Sequence, residues 1–328
     1  MSFEMLIAFI QQSVRLSSTL LLGSTGEIIT EKSGNLNLGT PGIMASGAIS
    51  GIIGAYFYTK SGIPFNPIVS ILITFGCAII GALLTTLIYC FLTITLKTNQ
   101  NVTGLALTTF GIGISNFIGS LINGKMGGTG IAAFPEIGEA YRATLPFADK
   151  LGVFGKIFLS YGFMTYLGII IAVIVAFVIT KTRVGLNLRA VGENPATADA
   201  AGINVNRYKY TATCLGGIIS GLGGLCYVMD FAAANWQNNI LDQFGWLAVA
   251  LVIFAVWRPN IAVFGSIIFG ALYVIGPFIL GLSNKSQELI KILPYLVTIV
   301  VLVIVSIRDK KENQPPQSLG LAYFREER

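Results

Sequence analysis

The 328-residue chain contains no histidine, which removes the commonest metal ligand and the commonest general acid/base at neutral pH. Only 11% of its residues are charged, against about a quarter in an ordinary soluble domain. The four cysteines (Cys77, Cys90, Cys214 and Cys226) lie apart among apolar neighbours with no metal-ligand spacing, so inert packing thiols are expected and no metal site. A phosphate-cradling GxxxxGKS/T is missing, because the Gly-rich GKMGGTG at 124–130 lacks the closing Gly-Lys-Ser/Thr. No Cys/His cluster, no GxSxG and no ladder of acids suited to a proton relay interrupts the apolar segments. These absences exclude a catalytic cluster, so no enzyme is expected, and any energy source has to come from another protein. Met1 to Leu22 lacks a basic start and carries Glu4, Gln11, Gln12 and Arg15, so a cleavable signal peptide is not expected.

What the chain has in abundance is apolar surface, with 54% hydrophobic residues. Windows long enough to cross a hydrocarbon core of about 30 Å as helix recur at 5–24, 41–58, 66–96, 102–123, 160–181, 209–229, 244–257, 260–282 and 289–307. The expected fold is an all-α polytopic membrane protein of about nine transmembrane helices. Residues 1–307 form one membrane domain and 308–328 a tail. The run 66–96 would be roughly 46 Å long as helix and must tilt, bend or project. The segment 244–257 is short for a crossing and reads as a partly re-entrant or broken helix, which needs protein or a water-filled path over its loose backbone.

The net charge of +6 falls in loops and reads as a determinant of topology in a lipid membrane, not as a nucleic-acid footprint. Placing the 181–208 loop in the cytoplasm and alternating outward puts Lys32, Lys97, Arg258, Arg308, Lys310, Lys311, Arg325 and Arg328 inside as well. Thirteen cations then lie inside and seven outside, as the positive-inside rule requires. The amino terminus and segment 124–159 fall outside, and the carboxyl terminus inside.

Small-residue stripes at Gly47, Gly51 and Gly54 and at Gly217, Gly221 and Gly224 are expected to be close-packing helix faces. Polar residues in apolar surroundings are candidates for a substrate path, because an unpaired polar group in hydrocarbon is costly. The linker STGEIITEKSGNLNLGTPG contributes Asn35 and Asn37, with Pro41 in a first helical turn where its missing N–H is harmless. Thr108, Ser115 and Asn116 share roughly one helix face, although such hydroxyls often bond back to their own helix. Asn238-Asn239 and Asp242-Gln243, before a short helix with Trp246, resemble half-helix starts that turn backbone N–H groups toward substrate; Trp236 and Trp246 would otherwise be interfacial belt residues. The interrupted segments 35–54 and 238–257 each follow an Asn-containing loop, a weak sign of internal duplication.

The island from Lys181 to Tyr210 is long, charge-rich and punctuated by glycine and proline. In a membrane chain such an island is where a soluble partner docks. Within it Asn194 is placed to cap a helix, Pro195 to open it, Ala196 to Ala201 to form it and Gly202 to stop it.

Three stretches, TGEIITEKSGNLNLGTPGIMASGAISG at 25–51, TRVGLNLRAVGENPATADAAGINVNRYK at 182–209 and QPPQSLGLAYFREER at 314–328, carry a resemblance that runs nearly end to end. The chain resembles the permease subunits of bacterial ABC importers of the simple-sugar and branched-chain amino-acid superfamily. It is most similar to the second, shorter permease of the nucleoside branch. The resemblance implies a multi-pass subunit of the bacterial cytoplasmic membrane that binds no cofactor itself. A cytoplasmic ABC ATPase would use ATP and Mg, a second homologous permease would complete the pore, and an extracytoplasmic lipoprotein would deliver a nucleoside. It also implies that 183–203 is the ATPase-coupling segment, with Arg183, Gly185, Arg189, Gly192, Glu193, Asn194, Pro195, Asp199, Ala201, Gly202 and Ile203. Ala198, Ala201 and Ile203 would press into the ATPase, rimmed by Arg189, Glu193 and Asp199. Many relatives carry an acid near the Thr40-Pro41 position, and this chain reads Gly39-Thr40-Pro41-Gly42 there. The rival expectations are an ion-driven secondary transporter and an ABC permease for simple sugars.

Overall fold

Helix α1 (Phe3–Lys32) is the axis of the molecule: every residue from Leu16 to Glu31 is buried. The computed structural model describes residues 3–128, 130–146, 148–279, 283–308 and 314–325. After α1 come α2 (Thr40–Lys60), α3 (Pro67–Cys90), continued by a π-helical turn at Phe91–Thr95, and α4 (Gln100–Lys125). A segment with α5 (Pro135–Arg142) and α6 (Gly152–Phe158) leads to α7 (Phe163–Lys181), and the polar island forms α8 (Arg183–Glu193) and α9 (Pro195–Ala200). Then follow α10 (Val205–Cys226), continued by a π-helical turn at Tyr227–Phe231, α11 (Asp242–Phe254), α12 (Pro259–Val274), α13 (Asn284–Ile290) and α14 (Leu293–Arg308). Two short strands, β1 (Ala132–Ala133) and β2 (Asn235–Trp236), pair antiparallel.

Among the described residues, seven helices are long and apolar enough to cross a membrane, and α11 and α12 are shorter apolar helices. The nine apolar elements match the windows in the sequence. At 1.5 Å per residue α11 is only about 20 Å long. It ends in a tight turn at Val256 and Trp257, where φ is 52° and 54°. Helix α1 outruns its apolar window by a full two turns, because Glu27 and Glu31 find partners inside the protein and do not break the helix.

Packing separates the helices into inner and outer sets. The apolar windows of α2 and α10 are 78% buried, whereas that of residues 285–304 is 11% buried; α3, α4, α7 and α14 therefore present their outer faces to lipid. The two glycine stripes are close-packing faces that meet at one point: a Cβ at Gly47 would lie 2.6 Å from the Cα and carbonyl oxygen of Gly221, while Gly54 and Gly217 face α3, against Cys77 and Thr86. With no water to exclude between helices in lipid, this close backbone approach supplies the cohesion. The cysteines are free; Cys90 on α3 and Cys214 on α10 approach to 3.9 Å between sulfurs.

The direction of the helices alternates, so the loops 33–39, 96–99, 182–204 and 255–258 and the tail 314–325 gather at one end. Lys60, Lys125, Arg142, Lys150 and Lys156 belong to the other. Lys310, Lys311 and Arg328 lie outside the described residues.

Candidate coupling and translocation site

The linker between α1 and α2 is buried non-helical backbone, with Ser33, Asn35 and Asn37 at most 2% exposed. Such backbone survives at membrane depth only if every polar group is met by protein, and four helices supply the partners. Gln100 of α4 accepts from the Leu36 N–H at 2.7 Å, and Tyr89 of α3 donates to the Leu36 carbonyl at 2.6 Å. Thr108 of α4 donates to the Leu38 carbonyl at 2.7 Å. The Glu27 carboxylate of α1 accepts from the Asn37 N–H at 3.2 Å and from the Thr40 hydroxyl. Glu27 therefore sits at the start of α2, where a carboxylate favours the unpaired N–H groups of a helix terminus. The loop at Thr40-Pro41 carries no acid of its own, and α1 brings one to it.

One turn further along α1, Glu31 accepts from the Trp257 indole N–H at the α11–α12 turn. Asn35 donates to Thr213 of α10 at 3.0 Å. Pro41 packs directly against Gly245, near the start of α11, so the starts of α2 and α11, the two helices singled out as interrupted, meet inside the bundle. Beside this knot opens a cavity of about 650 Å³, lined by Lys32, Arg189, Glu193, Arg258 and Gln314 among others.

The polar island folds as its local chemistry dictates. The Asn194 side chain accepts from the Thr197 N–H at 3.0 Å, Pro195 opens α9, and Gly202 takes φ +84° just beyond it. Helix α8, which the capping pattern did not reveal, is capped by Thr182, whose hydroxyl accepts from the Gly185 N–H at 3.1 Å. Arg183, Arg189, Glu193, Asn194 and Ala201 are exposed, and Asp199 and Ile203 are half-buried. One expectation about this segment is corrected. Ala198 is 3% exposed and packs with Val191 and Val205 in a small cluster inside the chain, so it has no face to offer a partner. Gly185 and Gly192 are also turned inward, against Val178 and Ile179 of α7 and against the Lys32 carbonyl, with no room for a Cβ. The outward face of α9 is Asn194, Ala196, Thr197, Ala200 and Ala201.

At the opposite end the structure joins Asn116 to Asn239: the amide of Asn116 donates to the Asn239 side chain at 2.5 Å and accepts from its backbone N–H at 2.9 Å. Asn238 donates to Ser120 at 2.9 Å. Gln243 accepts from Tyr273 at 2.7 Å, and Trp246 is half-buried on α11. Thr108 and Ser115 lie on the buried face of α4, the first bonded to Leu38 and the second to its own helix at Gly111. Trp236 is 2% exposed, packed near Gly119, and is not a lipid-facing belt residue.

Sequence reasoning missed Tyr89, Gln100 and Trp257. A signal was present for the first two: a run of buried linker backbone must find side-chain partners, and Tyr89, near the end of α3, and Gln100, at the start of α4, are polar-tipped residues next to that end of the bundle. Nothing local marks Trp257, which meets Glu31 from 226 positions away.

A bundle with lipid-facing α3, α4, α7 and α14 around a buried α1, and a capped polar platform at one end, defines an all-α polytopic membrane protein. The chain belongs to the family described as branched-chain amino acid transport system / permease component, which matches residues 9–302. It is 33% identical over 294 residues to a nucleoside ABC transporter permease protein of Lactococcus lactis, covering 88% of this chain and 89% of that one. It is 31% identical over 291 residues to a guanosine ABC transporter permease protein of Bacillus subtilis, covering 87% and 88%. A Haloferax volcanii protein provisionally named as a glucose ABC transporter permease is 30% identical over 342 residues, covering 96% of each chain.

Proposed function

We propose that this chain is a membrane-spanning permease subunit of a bacterial ABC importer that carries a nucleoside inward across the cytoplasmic membrane. The observation that carries the reading is α9: a short, capped helix held at the cation-rich end of the bundle, with Asn194, Ala196, Thr197, Ala200 and Ala201 turned outward. A cytoplasmic ATPase docks there and supplies the energy from ATP and Mg. A second, homologous permease completes the pore, and an extracytoplasmic lipoprotein delivers the solute to the end that holds segment 126–162. The carboxyl terminus lies in the cytoplasm and the amino terminus outside, in keeping with the distribution of cations.

A nucleoside is favoured by the names of the Lactococcus lactis and Bacillus subtilis relatives. A simple sugar is the second reading, favoured by the Haloferax volcanii relative. The Asn116–Asn239 pair and Gln243 offer amide groups suited to hydroxyl-rich solutes of either class.

The test is reconstitution of this chain with a second permease, an ABC ATPase and a substrate-binding lipoprotein, followed by uptake of labelled guanosine, uridine and glucose with and without ATP. ATP-dependent uptake of a nucleoside that excess glucose does not inhibit is expected. Uptake by this chain alone under an imposed ion gradient would replace the proposal with a secondary transporter. Thr197→Cys in intact cells is expected to resist an impermeant thiol reagent, and labelling from outside refutes the orientation.

A further inference from the structure

We infer that the C-terminal tail is a mechanical tie that joins α9 to the start of α2, with Asp199, Tyr323 and Arg325 as positioning residues. This deepens the docking of an ATPase on α9 and rests on it.

Helix α9 is weakly anchored along its own length. Asn194 before it is extended, Gly202 after it is left-handed, and Ala198 is its buried contact in a cluster separate from the main core. A push on an element of under two turns, joined to its neighbours through two non-helical residues, is passed on in a set direction only if something also holds it from the side. The tail does so. The Tyr323 hydroxyl donates to Asp199 Oδ2 at 2.9 Å, and Arg325 Nε reaches the same oxygen at 3.2 Å. The Tyr323 ring also packs against the Val191–Ala198–Val205 cluster.

The same few residues grip the rest of the platform. Ser318 donates to the Gly192 carbonyl through both its N–H, at 3.0 Å, and its hydroxyl, at 2.5 Å. The Gly320 N–H donates to the Gly34 carbonyl at 3.2 Å. Gln100 donates to the Leu321 carbonyl at 3.4 Å while accepting from Leu36. Lys97 Nζ lies 4.3 Å above the Phe324 ring. Gly34, at φ +86°, packs so tightly on the tail that a Cβ there would lie 2.7 Å from Ser318 Oγ.

The tail is thus bonded on one side to α9 and on the other to the linker that leads, through Leu36, Asn37 and Glu27, into the first turn of α2. Helix α2 is among the most buried in the bundle and meets α4, α10 and α11. Movement of α9 is delivered through the tail to the linker and so to the helix whose start meets that of α11. The bonds to Asp199 are charge-assisted, which makes them the strongest of the set.

The test uses the assembled importer with its ATPase and lipoprotein, and reads nucleoside uptake per ATP hydrolysed beside cross-linking of Thr197→Cys to the ATPase. The Tyr323→Phe/Arg325→Gln variant is expected to keep the cross-link and to lose uptake per ATP by about tenfold, the weight of the Tyr323 hydrogen bond to the charged carboxylate, because the solvent-exposed Arg325 pair adds little. Asp199→Arg alone is expected to do the same, and Asp199→Arg with Arg325→Asp to restore the ratio. An unchanged ratio in Tyr323→Phe/Arg325→Gln overturns the tie, as does loss of folded protein without recovery in the charge swap. Absence of the cross-link in the otherwise unaltered importer overturns the docking on α9, and the tie falls with it.

Discussion

Substituting Gly47 by alanine tests whether the small-residue seam between α2 and α10 holds the bundle together. The added Cβ would lie 2.6 Å from the Cα and carbonyl oxygen of Gly221 and 2.8 Å from its carbonyl carbon. All three are backbone atoms of a buried helix, so no side chain can swing aside, and the helices must part by roughly 1 Å to reach ordinary contact distance. Overpacking of this kind costs about 1–3 kcal/mol. Gly76 on α3 is the control, because a Cβ there meets nothing within 4 Å. Both positions gain the same helix propensity from alanine, at most about 1 kcal/mol, so the difference between the variants isolates the collision. A gap of about 2 kcal/mol is expected, or about 4 °C in the thermal midpoint at roughly 2 °C per kcal/mol. The assay is thermal unfolding of purified protein in one detergent, followed by tryptophan fluorescence. If Gly47→Ala melts with Gly76→Ala, close backbone approach is not what holds α2 to α10, and the reasoning fails.

Two further outcomes follow from the platform. Asn194→Ala removes the acceptor of the Thr197 N–H and should destabilise α9 by about 1 kcal/mol, read as faster amide exchange at Thr197 and Ala198 with unchanged exchange in α1. Trp257→Phe keeps an aromatic side chain, though a smaller one, and leaves Glu31 without its indole donor, at a cost of about 1–3 kcal/mol, checked as a lowered thermal midpoint in the same unfolding assay.

Much of the architecture was legible because it is written locally. Hydropathy marks a span wherever some twenty residues must be apolar at once, and all nine windows became apolar helices. Asn194, Pro195 and Gly202 announced α9 because a cap, a pre-set φ and a left-handed stop act within one turn. The glycine stripes announced close-packing helix faces because only small residues let helix backbones approach in lipid, but not which helices would meet there. The length of α1 was not legible in this way: Glu27 and Glu31 look like a loop until their partners, Thr40, Asn37 and Trp257, are in place.

That the chain enters a membrane, roughly where it crosses, and which segment forms a capped polar platform all follow from the order of residues. Each of these depends on composition or on neighbours within a few positions. Tertiary structure alone decided that Ala198, Gly185 and Gly192 face inward, that Asn116 meets Asn239, and that Tyr89, Gln100 and Glu27 together hold the linker before α2. It alone returned Ser318, Gly320, Tyr323 and Arg325 to residues more than a hundred positions earlier in the chain. A side chain that serves a distant backbone leaves no periodicity of its own, and its role exists only once packing has brought the two together.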